Sequence, residues 1–114
     1  MERRRQRSRN IEDATRFQLE QVINDFDLRS CLLMDEAGKV LGTAGETSRL
    51  EKIVPKIPVL ARESSPDEEG VYVCEFRADG RKLFIAAEGD LATFVTVGAY
   101  RALLGIRRIH ANAA

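Results

Sequence analysis

The chain has 114 residues, a formal net charge of zero and 44% hydrophobic residues. That is enough for one folded domain with one core and too little for two, and the hydrophobic content argues against a disordered chain. Zero net charge gives no general reason for a nucleic-acid or membrane surface, and no apolar run approaches the roughly 18 residues of a membrane span.

The charge is unevenly placed. Arg3, Arg4, Arg5, Arg7 and Arg9 crowd the first nine residues against Glu2 alone, leaving the remainder net negative. Residues 1–9 read as an arginine-rich flexible arm ahead of a single domain over 10–114. Its arginines are candidates for contact with an acidic partner, while the absence of interleaved aromatic residues weakens a nucleic-acid reading. No apolar segment follows the arginines, so the start is not a secretory signal, and a cytoplasmic protein is expected.

Residues 10–26 predict an amphipathic helix. Asn10 is suited to the N-cap, Glu12 and Asp13 to the first turn, and Ile11, Ala14, Leu19, Val22, Ile23 and Phe26 form the apolar stripe. Phe17 lies slightly off that stripe, as a packing extension or an exposed contact. Ser30–Met34 is apolar on both faces and predicts a strand covered on both sides. Asp35-Glu36-Ala37-Gly38 is a turn, and Val40–Ala44, interrupted by Gly42, is a weaker return strand suited to a sheet edge.

Ser48 and Glu51 fit a capping box, and Leu50, Ile53, Val54, Ile57 and Leu60 follow at near-helical spacing. Pro55 and Pro58 disturb that helix. Either it kinks, or a short helix stops and restarts near Pro55 with proline in its first turn. An acidic loop over 64–69 leads to Val71–Arg77, which alternates Val71, Val73 and Glu75 with Tyr72, Cys74 and Phe76. Asp79-Gly80 supplies the positive φ of a two-residue hairpin, and Lys82–Ala87 is its return strand. Glu88-Gly89-Asp90 reads as a second turn, and β-branched Leu91–Val97 as a third strand of a meander. Gly98 then breaks the chain, and Ala99–His110 predicts the last helix.

No catalytic constellation emerges. His110 is the single histidine and falls at a helix end, so no imidazole base accompanies a serine or cysteine nucleophile. Neither phosphate-binding glycine pattern occurs, nor does a calcium loop. Cys31 and Cys74 sit in apolar strands without nearby ligands and read as buried reduced thiols, so neither a metal nor a cofactor is expected.

The order helix, two strands, helix, three strands, helix, with the hairpin LLMDEAGKVLGTAG after the first helix, resembles the Roadblock/LC7 family over residues 10 to 110. The resemblance is to its bacterial GTPase-regulator type, tied to cell polarity and motility. It implies an α+β fold, α-β-β-α-β-β-β-α, with a five-stranded antiparallel sheet in the order 2-1-5-4-3. Helices 1 and 3 would cover one face and helix 2 the other. It also implies a homodimer through strand three and the middle helix, with Leu50, Ile53, Val54, Ile57, Leu60, Val71, Tyr72, Val73 and Glu75 at the interface. The implied function is a non-catalytic scaffold for protein–protein interaction, binding a small Ras-like GTPase or another Roadblock-type regulator. The prolines of the middle helix depart from the family's regular helix and bear on direct GTPase docking. Alternatives are a profilin/PAS-like small-molecule sensor, with room left by Gly42, Ala86, Ala87 and Ala92, and a cargo adaptor subunit of a motor complex. For the interface, Val73→Arg or Ile57→Asp is expected to turn dimer into monomer.

Overall fold

The computed structural model describes residues 3–112, with side chains described over 10–111. The arginine side chains of Arg3, Arg4, Arg5, Arg7 and Arg9 therefore lie outside the described residues. Helix α1 spans Arg3–Phe26, so Asn10 is inside the helix rather than at its cap. It ends where Asp27 takes a left-handed φ of 53° and the Leu28 amide donates back to the Ile23 carbonyl.

Strands β1 (Ser30–Asp35) and β2 (Val40–Gly45) form the first hairpin. Its turn is held by Asp35, whose Oδ1 accepts from the amides of Ala37 and Lys39, both at 2.9 Å. Strands β3 (Val71–Ala78) and β4 (Arg81–Glu88) form the second, closed by Asp79 and Gly80 with φ of 54° and 74°. Those two positive angles are what a type I′ turn requires.

The middle segment stops and restarts. Helix α2 is Ser48–Lys52, a 3-10 turn follows at Val54–Lys56, and helix α3 is Ile57–Leu60. Pro55 and Pro58 each occupy the first or second position of the piece they start, where a missing N–H costs nothing. The cap lies one residue earlier than the sequence suggests. Thr47, not Ser48, precedes α2, and its hydroxyl donates to Glu51 at 3.2 Å.

The expected five-stranded sheet is not formed. The sheet has four antiparallel strands in the order β2-β1-β4-β3. Leu91–Val97 is not a strand, because helix α4 runs Ala92–Asn112. Its apolar residues are buried with helical spacing: Val95, Ala99, Ala102, Leu103 and Ile106. Gly98 does not break it. It lets α4 approach α1, since a Cβ there would stand 2.9 Å from Leu28 Cδ1 and 3.4 Å from Phe26 Cβ. A fifth strand also has no place to pair. β4 lies directly against β1, from Ser30–Glu88 to Asp35–Leu83.

Helices α1 and α4 cover one face of the sheet over Cys31, Leu33, Cys74, Phe76, Leu83 and Ile85. The α2–α3 segment covers the other over Leu32, Met34, Val71, Val73, Phe84 and Ala86. Cys31 and Cys74 are free thiols on strands separated by β4. One buried carboxylate anchors the end of the sheet. Glu88 accepts from Ser30 Oγ at 3.0 Å and meets Arg29 at 3.1 Å and Arg49 at 3.0 Å, tying α2 to β1 and β4. No described helix is long and apolar enough to cross a membrane.

Candidate protein interface

The residues expected at an interface gather around β3 and the α2–α3 segment, but several already have partners within the chain. Leu50, Ile57, Val71 and Val73 are buried in the core that seats α2–α3 on the sheet. Ile53, Val54 and Leu60 are half-buried around them. Tyr72 is half-buried on the opposite face, beneath α4, and Glu75 is exposed. Leu50 and Ile57 are therefore what hold the broken segment down. Full burial of such a side chain contributes about 1.5–3 kcal/mol.

β3 is an edge strand, and its backbone shows which groups stay open. The Val71 amide and carbonyl both bond to Asp67, at 3.0 and 2.9 Å, away from β4. The Gly70 carbonyl accepts from the Gly89 amide at 3.1 Å, toward the β4 side. Backbone groups alternate sides along an antiparallel strand. Tyr72, Cys74 and Phe76 therefore bond to β4, while Val73, Glu75 and Arg77 direct their N–H and C=O groups outward. Asp67 blunts the start of this edge, and the rest is open.

A groove of about 700 Å³ follows that edge. Pro58 and Arg62, from α3 and the turn after it, wall one side; Tyr100 and Leu103 of α4 wall the other. Both helical layers thus flank the strand they cover. Tyr100 and Arg62 are site residues that the sequence reading missed. Tyr100 lay in the predicted last helix, but only the packing of α4 over β3 brings it to the edge.

The opposite edge, β2, is less suited to pairing. Its register with β1 slips between Leu33 and Met34, and a bulge of this kind twists an edge away from a neighbour. The small residues that a sensor cavity would need are points of close packing. Ala86 and Ala87 are fully buried, and a Cβ on Gly42 would stand 2.9 Å from Thr15 Cγ2.

The cysteines and the histidine sit in separate surroundings. Burial pushes the Cys31 and Cys74 thiols up to about 12, keeping both protonated. His110, at the end of α4, is half-buried. Burial and then the nearby Arg81 lower its pKa, against an opposing pull from Asp79. No group of three or more metal-ligating side chains occurs among the described residues.

No family model matches the chain, and no curated protein matches it in sequence. Solved structures do match in fold. MglB of Myxococcus xanthus superposes with a TM-score of 0.65 at 10% identity, covering 90% of this chain and 92% of that one. An MglB with a tetrameric arrangement gives 0.65 at 16% identity, over 91% and 93%. The gliding protein MglB of Thermus thermophilus gives 0.64 at 15% identity, over 90% and 92%. The chain is thus similar in fold to these MglB structures, with one strand fewer than its sequence resemblance to the Roadblock/LC7 family implied.

Proposed function

We propose that the chain is a non-catalytic interaction module that dimerises through β3 and binds a small Ras-like GTPase or another Roadblock-type regulator. The observation that carries this reading is the open β3 edge lying in a groove between two helical layers. An edge with outward donors and acceptors is a template for another strand. The likeness to MglB, a Roadblock/LC7-type GTPase-activating protein, supports the class of partner.

The edge suits a second copy of itself. Glu75 and Arg77 are both exposed, and their backbone groups point outward. Antiparallel pairing about a twofold axis at Phe76 puts each Glu75 opposite Arg77 of the partner subunit. Opposite charges directly across a strand pair contribute roughly 0.2–1 kcal/mol. Pairing centred on Glu75 would instead oppose two carboxylates. Around this edge, half-buried Ile53, Val54 and Leu60 and exposed Val59 complete an apolar surface on the α2–α3 side. Lys52, Lys56 and Arg62 give the exposed rim of that segment positive charge to present to a partner.

Glu75→Pro tests the dimer. Proline removes an outward N–H without taking a bond from the β3–β4 ladder, so the fold should survive. Sedimentation should give a folded chain that no longer pairs through β3; an unchanged assembly rejects the edge. For function, the purified chain is mixed with small Ras-like GTPases, loaded with GDP or with a GTP analogue. Binding that differs between the two states is expected. No binding in either state, and none to a Roadblock-type regulator, rejects the proposal.

A further inference from the structure

The open stretch of the β3 edge has a built end. Hydrogen bonds converge on Asp67, in the loop that precedes the strand. Its amide donates to the Val71 carbonyl at 2.9 Å, and its Oδ1 accepts from the Val71 amide at 3.0 Å. The same Oδ1 accepts from the Glu69 amide at 2.9 Å, and the Asp67 carbonyl accepts from the Gly70 amide at 3.0 Å. Asp67 thus gives Val71 both bonds that a residue on a neighbouring strand would give. The loop over 67–69 stands where that strand would run. Asp67 is exposed and belongs to neither core cluster, so its bonds act on the edge and not on the core.

The hairpin sets the other end. Asp79 and Gly80, with φ of 54° and 74°, carry the chain off the edge and into β4. Between these ends Val73, Glu75 and Arg77 direct their backbone groups outward. A second copy can lie antiparallel here in a few registers, each with a twofold axis through one residue. Centred on Cys74, Val71 faces Arg77 of the partner subunit, and Val73 faces Glu75 of the partner subunit. That ladder takes in every outward residue from Val71 to Arg77. Centred on Phe76, the ladder holds only Glu75 and Arg77, each opposite the other's copy. Val73 is then level with Asp79 of the partner subunit, which already belongs to its turn. The backbone alone therefore favours the longer, Cys74-centred ladder. That ladder requires the amide and carbonyl of Val71, which Asp67 holds. A register centred on Val73 requires them too. Registers centred on Glu75 or Arg77 set like charges face to face.

We infer that Asp67 is the register stop of the β3 edge. By holding Val71, it turns a second copy away from the Cys74-centred ladder and onto the Phe76-centred one, where Glu75 and Arg77 pair with opposite charge. This role presupposes the β3 pairing proposed above and says which of its arrangements forms. It also bears on partner choice. A strand that continues past Val73 runs into the loop over 67–69. The β3 strand of a second copy turns off at its own Asp79, where the stop begins, and so fits the stretch that is left.

Asp67→Ala tests the stop, with Asp67→Asn as its control, since the Asn side-chain carbonyl accepts from the same two amides. Both variants should fold, with Tyr72, Cys74 and Phe76 still protected from exchange by β4. In dilute solution the Val71 amide should exchange roughly tenfold faster in Asp67→Ala than in the natural chain or in Asp67→Asn. For the associated state, isotope-labelled and unlabelled copies are mixed and the NOEs between them are recorded. Residues opposite each other without mutual hydrogen bonds come closest, so these signals read the register. The natural chain and Asp67→Asn should connect Cys74 to Ala78 and Phe76 to Phe76. Asp67→Ala should lose these signals and connect Phe76 to Tyr72 and Cys74 to Cys74.

The outcomes separate the stop from the edge. Asp67→Ala that keeps only the Cys74–Ala78 and Phe76–Phe76 signals overturns the stop and leaves β3 pairing standing. Phe76–Tyr72 signals in the natural chain overturn it as well, because Val71 then pairs while Asp67 is present. A chain that stays monomeric, or that associates with no signals between β3 strands, removes the pairing itself and the stop with it.

Discussion

His110 illustrates what single residues do not disclose in sequence. It stands near a helix end, which suggests solvent, yet packing half-buries it near Arg81 and Asp79. Ile11, Glu12, Lys39 and Arg81 line the same cavity of about 220 Å³. Burial and the Arg81 charge outweigh Asp79, so the neutral imidazole is favoured in the fold and the pKa falls below its ordinary value of 6.5. The sign follows by linkage. Well above 6.5 neither state is protonated and His110 contributes nothing. As pH falls through 6.5 the unfolded chain takes the proton first, and stability drops until the folded-state pKa is passed. His110→Gln should therefore lose less stability than the natural chain between about pH 8 and about pH 5.5 in urea unfolding. Equal losses in the two proteins would exclude this role. The Asp79-Gly80 turn, by contrast, was legible. Its conformation is set by the residues' own tolerance of positive φ, with no help from the rest of the chain.

Elements were legible where pattern and propensity agree, and obscure where they conflict. β1 alternates two apolar faces, and the structure places it inside the sheet. Leu91–Val97 is rich in β-branched and aromatic residues, which favours a strand locally, but its continuation is not. Val95, Ala99, Ala102, Leu103 and Ile106 bury one helical face, and that tertiary gain overrides the local preference. The strand count, and with it the sheet order, follows from this one segment. The middle segment gave its breaks away, because proline acts locally. What it withheld was how much of its apolar stripe is consumed within one chain. Ile57→Asp and Val73→Arg are consequently poor probes of association. Both side chains are buried, and an unpaired buried charge costs about 3–5 kcal/mol. Urea unfolding should show each variant with a sharply lowered midpoint or no folded baseline. Glu75→Pro, altering only the outward side, should keep a near-native midpoint. A folded monomer from Ile57→Asp with an unchanged midpoint would contradict the core assignment.

At the scale of the whole molecule, a four-stranded sheet has two edges, and only one is suited to pairing. β2 is short, interrupted by Gly42 and offset by a bulge, whereas β3 offers eight regular residues. The family resemblance, through its strand order, put β3 at an edge. It could not say which of its amides would stay unpaired, since that depends on the contacts made by Asp67 of the preceding loop and by Gly89 beyond β4. Those contacts fix the alternation and make a residue-resolved prediction. Amide exchange followed by NMR in dilute solution should find Tyr72, Cys74 and Phe76 protected by the β4 ladder, with Val73, Glu75 and Arg77 exchanging rapidly. Val71 should be intermediate, held by the exposed carboxylate of Asp67. Raising the concentration until the chain associates should protect Val73, Glu75 and Arg77 and leave the even-numbered amides nearly unchanged. Protection on the α1/α4 face alone would mean that association leaves the edge open. Protection of all six amides at high dilution would mean that β3 is already covered within one chain. Outward amides that slow only on association can do so only by finding acceptors on another molecule, which is the physical content of a dimer built by extending a sheet.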